Sequence, residues 1–272
     1  MKKMAKEAGK DLTFLEHLDI FRKHLMRSAF AIVFFAVIAF IFKEFIFDNI
    51  IFAPREPWFP TNRFFCYLGK LLDMNSMCIN QTKFTLMNVE LGGQFSTHLM
   101  VSIISGVIIS FPFILWQFWL FIKPALKENE IRYSRGVIYF ASVLFFMGVL
   151  FGYYLIIPLT IEFFGSYYIS GEVINQINIS SFISSVTTVS LWSGIVFELP
   201  IVVYFLSKIG LITPSFLKKY RKHAIVVLFI IAAVITPPDV FSQLLVVGPL
   251  ILLYEFSIII SKRVMKNKAL KN

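Results

Sequence analysis

Residues 98–122 contain no Lys, Arg, Asp or Glu, and a helix of that length rises by about 1.5 Å per residue, enough to cross the roughly 30 Å hydrocarbon core of a bilayer. Five further stretches, 28–42, 136–161, 182–206, 224–235 and 240–260, are uninterrupted or nearly uninterrupted apolar sequence. Lipid offers backbone amides no water to bond, so spans of this kind are confined to helices. The pattern predicts six membrane-spanning helices, the first continuing past Lys43 and Glu44. The fifth is short and reaches across only if Lys222 snorkels or the bilayer thins. Composition agrees: 272 residues that are 57% hydrophobic, 17% aromatic and 15% charged fall outside the range of soluble domains. The expected class is an all-α integral membrane protein.

Charge placement orients the spans. Seven of the 26 Lys and Arg lie in 1–27, four in 123–135, five in 208–222 and five after Ser261. Six spans put all four segments on one side, which the positive-inside rule makes the cytoplasm; five would strand the basic tail outside. Both termini are therefore expected in the cytoplasm, with 1–27 an amphipathic N-terminus, 28–262 the bundle and 263–272 a basic tail of one membrane domain. Topology and anionic lipid explain the net charge of +10, so nucleic acid is not an expected partner. The N-terminus lacks a short apolar core followed by a small-residue cleavage site, so no removable signal peptide is expected.

On this topology 48–94 is the long external connection. It holds Pro54, Pro57, Pro60, Trp58 and both cysteines, Cys66 and Cys78, which can close a small disulfide loop on the oxidising side or remain thiols. No histidine accompanies them, so no metal site is expected. The second external connection, 165–179, reads as a turn into span four. The third, Thr236-Pro-Pro-Asp239, reads as a tight corner with Thr236 as cap, prolines in the first turn and Asp239 closing a capping box.

One carboxylate stands out within the spans. Glu198 lies ten residues before Lys208, about 15 Å from that end and hence near mid-bilayer. An ionisable group there costs at least ~2.5 kcal/mol on insertion scales and commonly marks a site. The bland alternative is a neutral acid bonded to a neighbour, for which Pro200 frees one acceptor, the carbonyl of Val196. In the sixth span Gln243 lies one turn below the corner, Pro249 removes a backbone bond to Leu245, and Glu255 sits seven residues before Lys262. Gln243 suits helix–helix bonding, and Glu255 is near enough to an interface to be hydrated.

On the cytoplasmic side Thr13 and Glu16 fit a capping box for a helix whose Phe14, Leu18, Phe21 and Leu25 share a face, with Asp19 and Lys23 an i,i+4 pair opposite. This helix is expected to lie along the membrane surface before turning into span one. After span two, Glu128 and Glu130 are acids in a basic setting. Either they are solvated acids favourable to a helix start, or they receive a cationic peptide, since guanidinium pairs bidentately with carboxylate.

The stretches FPFILWQFWLFIKPALKENE at 111–130, FELP at 197–200 and TPPDVFSQ at 236–243 resemble the TatC family, the multi-spanning signal-recognising subunit of the twin-arginine protein translocase. The resemblance extends from about Phe14 to Lys262. It implies a six-helix, cup-shaped receptor of the bacterial cytoplasmic membrane that binds twin-arginine signal peptides on folded cargo. It also implies recruitment of small single-span subunits of the TatA and TatB type, self-association in a larger complex, and transport driven by the proton gradient, with no cofactor and no enzymatic reaction. The family's acid after Pro-Ala-Leu falls on Glu130, its mid-membrane acid on Glu198 and its polar position in helix six on Gln243, while Phe121 and Pro124 match the motif ahead of the acidic loop. The family's His-Leu-x-Glu-Leu-Arg becomes His17-Leu-Asp-Ile-Phe-Arg22. Arg22 matches, whereas the glutamate position holds Ile20 and Asp19 stands one step earlier, a rotation of about 100° on a helix. Two other classes compete with this reading. A proton-coupled transporter or channel would use Glu198 for coupling, but the chain has a single deep acid and no duplicated half; a lipid-directed enzyme finds no phosphate loop, paired His ligands or Ser/His/Asp grouping.

Overall fold

The computed structural model describes residues 14–74, 77–80, 85–123, 128–168, 170, 176–235 and 240–269; within these, side chains at 14–17, 128–135, 235, 240–242, 245 and 267–269 are not described. Among them the chain is helical apart from one short strand pair, and it divides into two compact units: Met1–Phe42 with Ser102–Ser142, and Lys43–Val101 with Val143–Asn272. Among the described residues four helical stretches are long and apolar enough to cross a membrane: Leu18–Ile41, Gly93–Ile122, Gly136–Ser166 and Ile179–Ile209.

The first unit is built on α1 (Phe14–Ile41), the C-terminal part of α4 (Gly93–Ile122) and the start of α5 (Glu128–Phe151). No glycine or proline interrupts 14–41, so nothing breaks the backbone ladder. The expected turn between a surface helix and span one is absent: α1 is one helix of 28 residues. Gly106 of α4 lets the two backbones meet, because a Cβ there would stand 2.6 Å from the carbonyl of Ile32 and 2.8 Å from the amide of Ala36. Close backbone approach at small residues is how helices associate where water supplies no driving force.

In the second unit the helix that leaves span one continues, as expected, beyond Lys43 through α2 (Lys43–Ile46) and a π-helical turn at Phe47–Ile51, and then enters a 3-10 turn at Ala53–Arg55. Next comes α3 (Pro60–Leu71), with proline in its first turn where no N–H is needed. Cys66 and Cys78 are joined by a disulfide. Strand β1 (Thr85–Met87) pairs in parallel with β2 (Gln176–Asn178), Leu86 opposite Ile177. The connection 165–179 is thus more than the expected turn, and Asn178 ends it by capping the following helix through its side-chain oxygen, which accepts from the amide of Ser180 at 3.0 Å.

Span three is interrupted by a π-helical turn at Gly152–Ile156 before α6 (Ile157–Ser166). Pro158 has no N–H, so the carbonyl of Tyr154 lacks its helical partner; the hydroxyl of Thr61 donates to that carbonyl instead. Phe59, 2% exposed, stacks on Tyr154 at 5.3 Å between ring centroids. Span four is α7 (Ile179–Phe197) followed by α8 (Leu199–Ile209), so the continuous helix expected over 182–206 is broken at Glu198. Gly210, at φ 91°, terminates α8 in the left-handed region that glycine adopts without strain. Thr213 caps α9 (Pro214–Lys219), its hydroxyl oxygen accepting from Phe216 N–H at 3.2 Å.

The last two apolar runs form α10 (Arg221–Ile235, 15 residues) and α11 (Val240–Ala269, 30 residues). Here α11 continues through much of the segment expected as a tail, and Pro249 lies inside it. The corner Thr236–Asp239 lies outside the described residues. α11 packs along α8, with Ser207 donating to Ser261 at 2.8 Å, both fully buried. The apolar core of this unit gathers Ile156, Ile183, Val189, Leu228, Val247 and Ile258 from α7, α10, α11 and the π-helical turn.

A close contact binds span three to span four. A Cβ on Gly148 would lie 2.6 Å from the carbonyl of Ser193 and 2.7 Å from Phe197 Cβ; one on Gly152 would lie 2.7 Å from Ser193 Oγ; and one on Gly194 would lie 2.7 Å from Val149 Cγ2. Gly148 and Gly152 are four apart in an apolar helix, the small-xxx-small spacing that brings two backbones together.

Candidate functional site

The first candidate site lies where α1 begins and α4 ends. Lys23 and Asp19 form the expected i,i+4 pair at 2.7 Å, both exposed; an exposed helix pair of this kind stabilises by a few tenths of a kcal/mol. Asp19 is therefore already engaged with a cation of its own helix. Arg22 is exposed beside it. Phe21 meets Phe121 at 5.0 Å between centroids, tilted by 58°, so one residue singled out from the sequence packs next to another in the chain order of α1. About one turn before Phe121 in α4, Gln117 is 5% exposed and pairs through Oε1 with His24 Nδ1 at 2.7 Å, the ring nitrogen donating. Ser28 in turn donates to the carbonyl of His24 at 3.1 Å.

This polar clasp was not anticipated. Its signal is present in the sequence, since Gln117 is the lone amide in 111–122 and an amide in such a run needs a partner. Glu130 is the third residue of α5, on the same unit as the clasp; its side chain and all of Pro124 lie outside what is described.

The second candidate site is the break in span four. Glu198 has φ −73° and ψ −7°, closing α7 and opening α8. Its N–H donates to Ile195 O at 3.1 Å, and its carbonyl accepts from Ile201 at 2.9 Å and Val202 at 3.1 Å. Pro200 sits in the first turn of α8, where its lacking N–H is harmless. The side-chain Oε1 is buried and has no hydrogen-bond partner among the described residues, and Ser193 Oγ is in the same condition. The Val196 carbonyl, one acceptor open to a neutral acid there, does not pair with Oε1. Glu198 stands at a joint between two helices, so its side chain does not follow the ladder of a continuous one. Phe197, immediately before it, meets Phe151 at 5.4 Å and lies against Gly148. A buried carboxyl oxygen without a partner is costly and in a native protein calls for a reason.

Gln243 and Glu255 occupy other settings. Gln243 donates through Nε2 to the carbonyl of Phe229 at 3.0 Å, stapling α11 to α10. Glu255 pairs with Arg221 at 2.7 Å, both side chains well exposed at 39% and 48%.

Comparison with known proteins decides what such a chain is. Residues 16–249 match the family model described as Sec-independent protein translocase protein (TatC). The chain belongs to the TatC family. The Sec-independent protein translocase protein TatC of Blattabacterium from Periplaneta americana is 42% identical over 265 residues, covering 97% of this chain and 100% of the relative. That of Helicobacter pylori strain J99 is 43% identical over 185 residues, covering 68% of this chain and 74% of the relative. A crystal structure of the twin arginine translocase receptor TatC superposes with a TM-score of 0.72 at 33% identity, covering 92% of this chain and 100% of that one. As a TatC protein the chain is a membrane-spanning component of a protein translocase.

Proposed function

We propose that this chain is the signal-peptide receptor and core subunit of a twin-arginine translocase in the bacterial cytoplasmic membrane, exporting folded proteins with the proton gradient as driving force. Both termini and the basic connections lie in the cytoplasm, and α10 and α11 complete six spans. Glu130 accepts an arginine of the signal peptide, with Arg22, Asp19, Phe121 and Pro124 around it. Glu198 is the intramembrane contact for small single-span subunits of the TatA and TatB type, with Gln243 and Glu255 as further polar positions, and the receptor self-associates in a larger complex and contacts membrane lipid.

The observation that carries this reading is the clasp of His24 on Gln117 beside the Phe21–Phe121 contact. It fixes the start of α1 against the end of α4, so the arginine-bearing turn of α1 is held on the unit that also carries the start of α5. A fixed polar surface at that end can discriminate a guanidinium fork from an ammonium, which a flexible acidic tail does less well. The test is retention of the purified chain on an immobilised signal peptide carrying Arg-Arg, against the same peptide carrying Lys-Lys. Arg-Arg should bind at least about tenfold more tightly. Equal retention of the two peptides refutes the receptor reading.

A further inference from the structure

The external segment carries a buried amide seat built around its cysteines. Asn62, in the first turn of α3, is 0% exposed and donates through Nδ2 to the carbonyls of Pro54 at 3.0 Å and Glu56 at 2.8 Å. Its Oδ1 accepts from Asn80 Nδ2 at 3.0 Å; that same nitrogen donates to Pro158 O at 3.0 Å, and the backbone N–H of Asn80 donates to Glu162 Oε2. Asn80 therefore joins α3 to α6. It does so at φ 54°, a left-handed conformation uncommon in non-glycine residues and more accessible to asparagine than to most. Cys66 lies one turn beyond Asn62, and Cys78 lies two residues before Asn80. Met74 lies back against the end of α3: its N–H donates to Gly69 O at 2.8 Å, and a Cβ on Gly69 would stand 2.7 Å from Met74 O.

We propose that Cys66 and Cys78 form an oxidative maturation site whose closure locks Asn80 into its seat between Asn62 and α6. This rests on the external placement of 48–94 given above. Both cysteines are half-buried, and the co-reactant is an oxidised protein dithiol acting on the outer side of the membrane. The thiolate of one cysteine attacks the donor's disulfide, forming a mixed disulfide and releasing one donor thiolate. The second thiolate then attacks the first cysteine's sulfur, and the donor leaves as a dithiol that has gained the two electrons and, through water, the two thiol protons. Cross-linking a loop of roughly this length removes open states and favours the closed one by about a hundredfold. Reduction returns those states, and the seat opens.

Hydrogen exchange on the full-length chain in detergent reads the lock, since the Asn80 amide is bonded to Glu162 in the closed seat. Peptides covering 77–80 should exchange slowly in the oxidised chain and at least about tenfold faster after native-state reduction, with mass confirming two free thiols. The double variant Cys66→Ala/Cys78→Ala should match the reduced chain, while peptides from α7 and α11 keep wild-type protection. Equal exchange at 77–80 before and after reduction overturns the lock. In cells, acid quenching and alkylation should find no free thiols, and two in a strain lacking disulfide donors. Free thiols in wild-type cells overturn the maturation site; if an impermeant reagent still reaches Lys70 from outside, the topology survives that failure, and if it does not, the topology falls with it.

Discussion

Replacing Gly148 by alanine tests whether the close contact of spans three and four governs the fold. The new Cβ would meet Ser193 O at 2.6 Å and both Cβ and Cγ of Phe197 at 2.7 Å. None of these atoms is the free end of a flexible side chain, so the helices must part by several tenths of an ångström to restore ordinary contact. Overpacking of this kind costs about 1–3 kcal/mol. Alanine recovers up to about 1 kcal/mol of helix propensity over glycine, leaving a net loss of roughly 0–2 kcal/mol against wild type and roughly 1–3 kcal/mol against an alanine that meets no contact. Gly136 supplies the control: it lies in the same helix, and a Cβ there would meet nothing within 4 Å, so Gly136→Ala should be neutral or stabilising by up to about 1 kcal/mol. For a chain of this size each kcal/mol moves the melting temperature by roughly 2–4 °C. Thermal unfolding in detergent should therefore separate the variants by several degrees, Gly148→Ala at or below wild type and Gly136→Ala at or above it. Two variants melting together, or Gly148→Ala melting above wild type, would show that the glycine contact does not set the helix separation.

A reporter fused after Asn272 should read cytoplasmic and an impermeant amine reagent should reach Lys70 from outside; a C-terminus labelled externally sinks the six-span arrangement. Glu130→Gln and Glu130→Ala should each weaken twin-arginine peptide binding about tenfold or more, the worth of a charge-assisted hydrogen bond, with melting unchanged; binding equal to wild type in both makes Glu130 a solvated helix-start acid. Glu198→Gln should fold and bind peptide yet alter transport or cross-linking to single-span partners, and normal transport with normal cross-linking would remove any ionisable role. Glu255→Gln breaks an exposed pair and should lower stability by no more than about 1 kcal/mol; a much larger drop in melting temperature would mean that the pair is sealed from water in the assembled protein.

Apolar runs were legible because lipid constrains them by length and charge alone, and α1, α4, the Gly136–Ser166 stretch and the Ile179–Ile209 stretch lie where runs were read. Interruptions inside the runs were not legible from hydropathy. Gly152–Ile156 lies inside a continuous apolar run without a charge, and its π-helical turn goes with Pro158 and with the Thr61 hydroxyl far away in sequence. The break at Glu198 had a local signal in Pro200, read as freeing an acceptor when its larger effect is at the helix joint. The pairing of β1 with β2 was invisible because each strand has three residues and the partners are about ninety positions apart. Among site residues, the Phe121 ring lands against α1, and the Asp19–Lys23 pair follows from i,i+4 geometry. The His24–Gln117 clasp needed the two helices placed side by side before either residue had meaning.

The joint at Glu198 divides span four between two sets of neighbours. Its first half is pinned to span three by Gly148, Gly152 and Gly194, and its second half is tied to α11 through Ser207 and Ser261. Bending at 198 asks for little, since Pro200 contributes no N–H to the ladder there. The acid thus stands where span four changes partners, from the glycine contact with span three to the serine contact with α11.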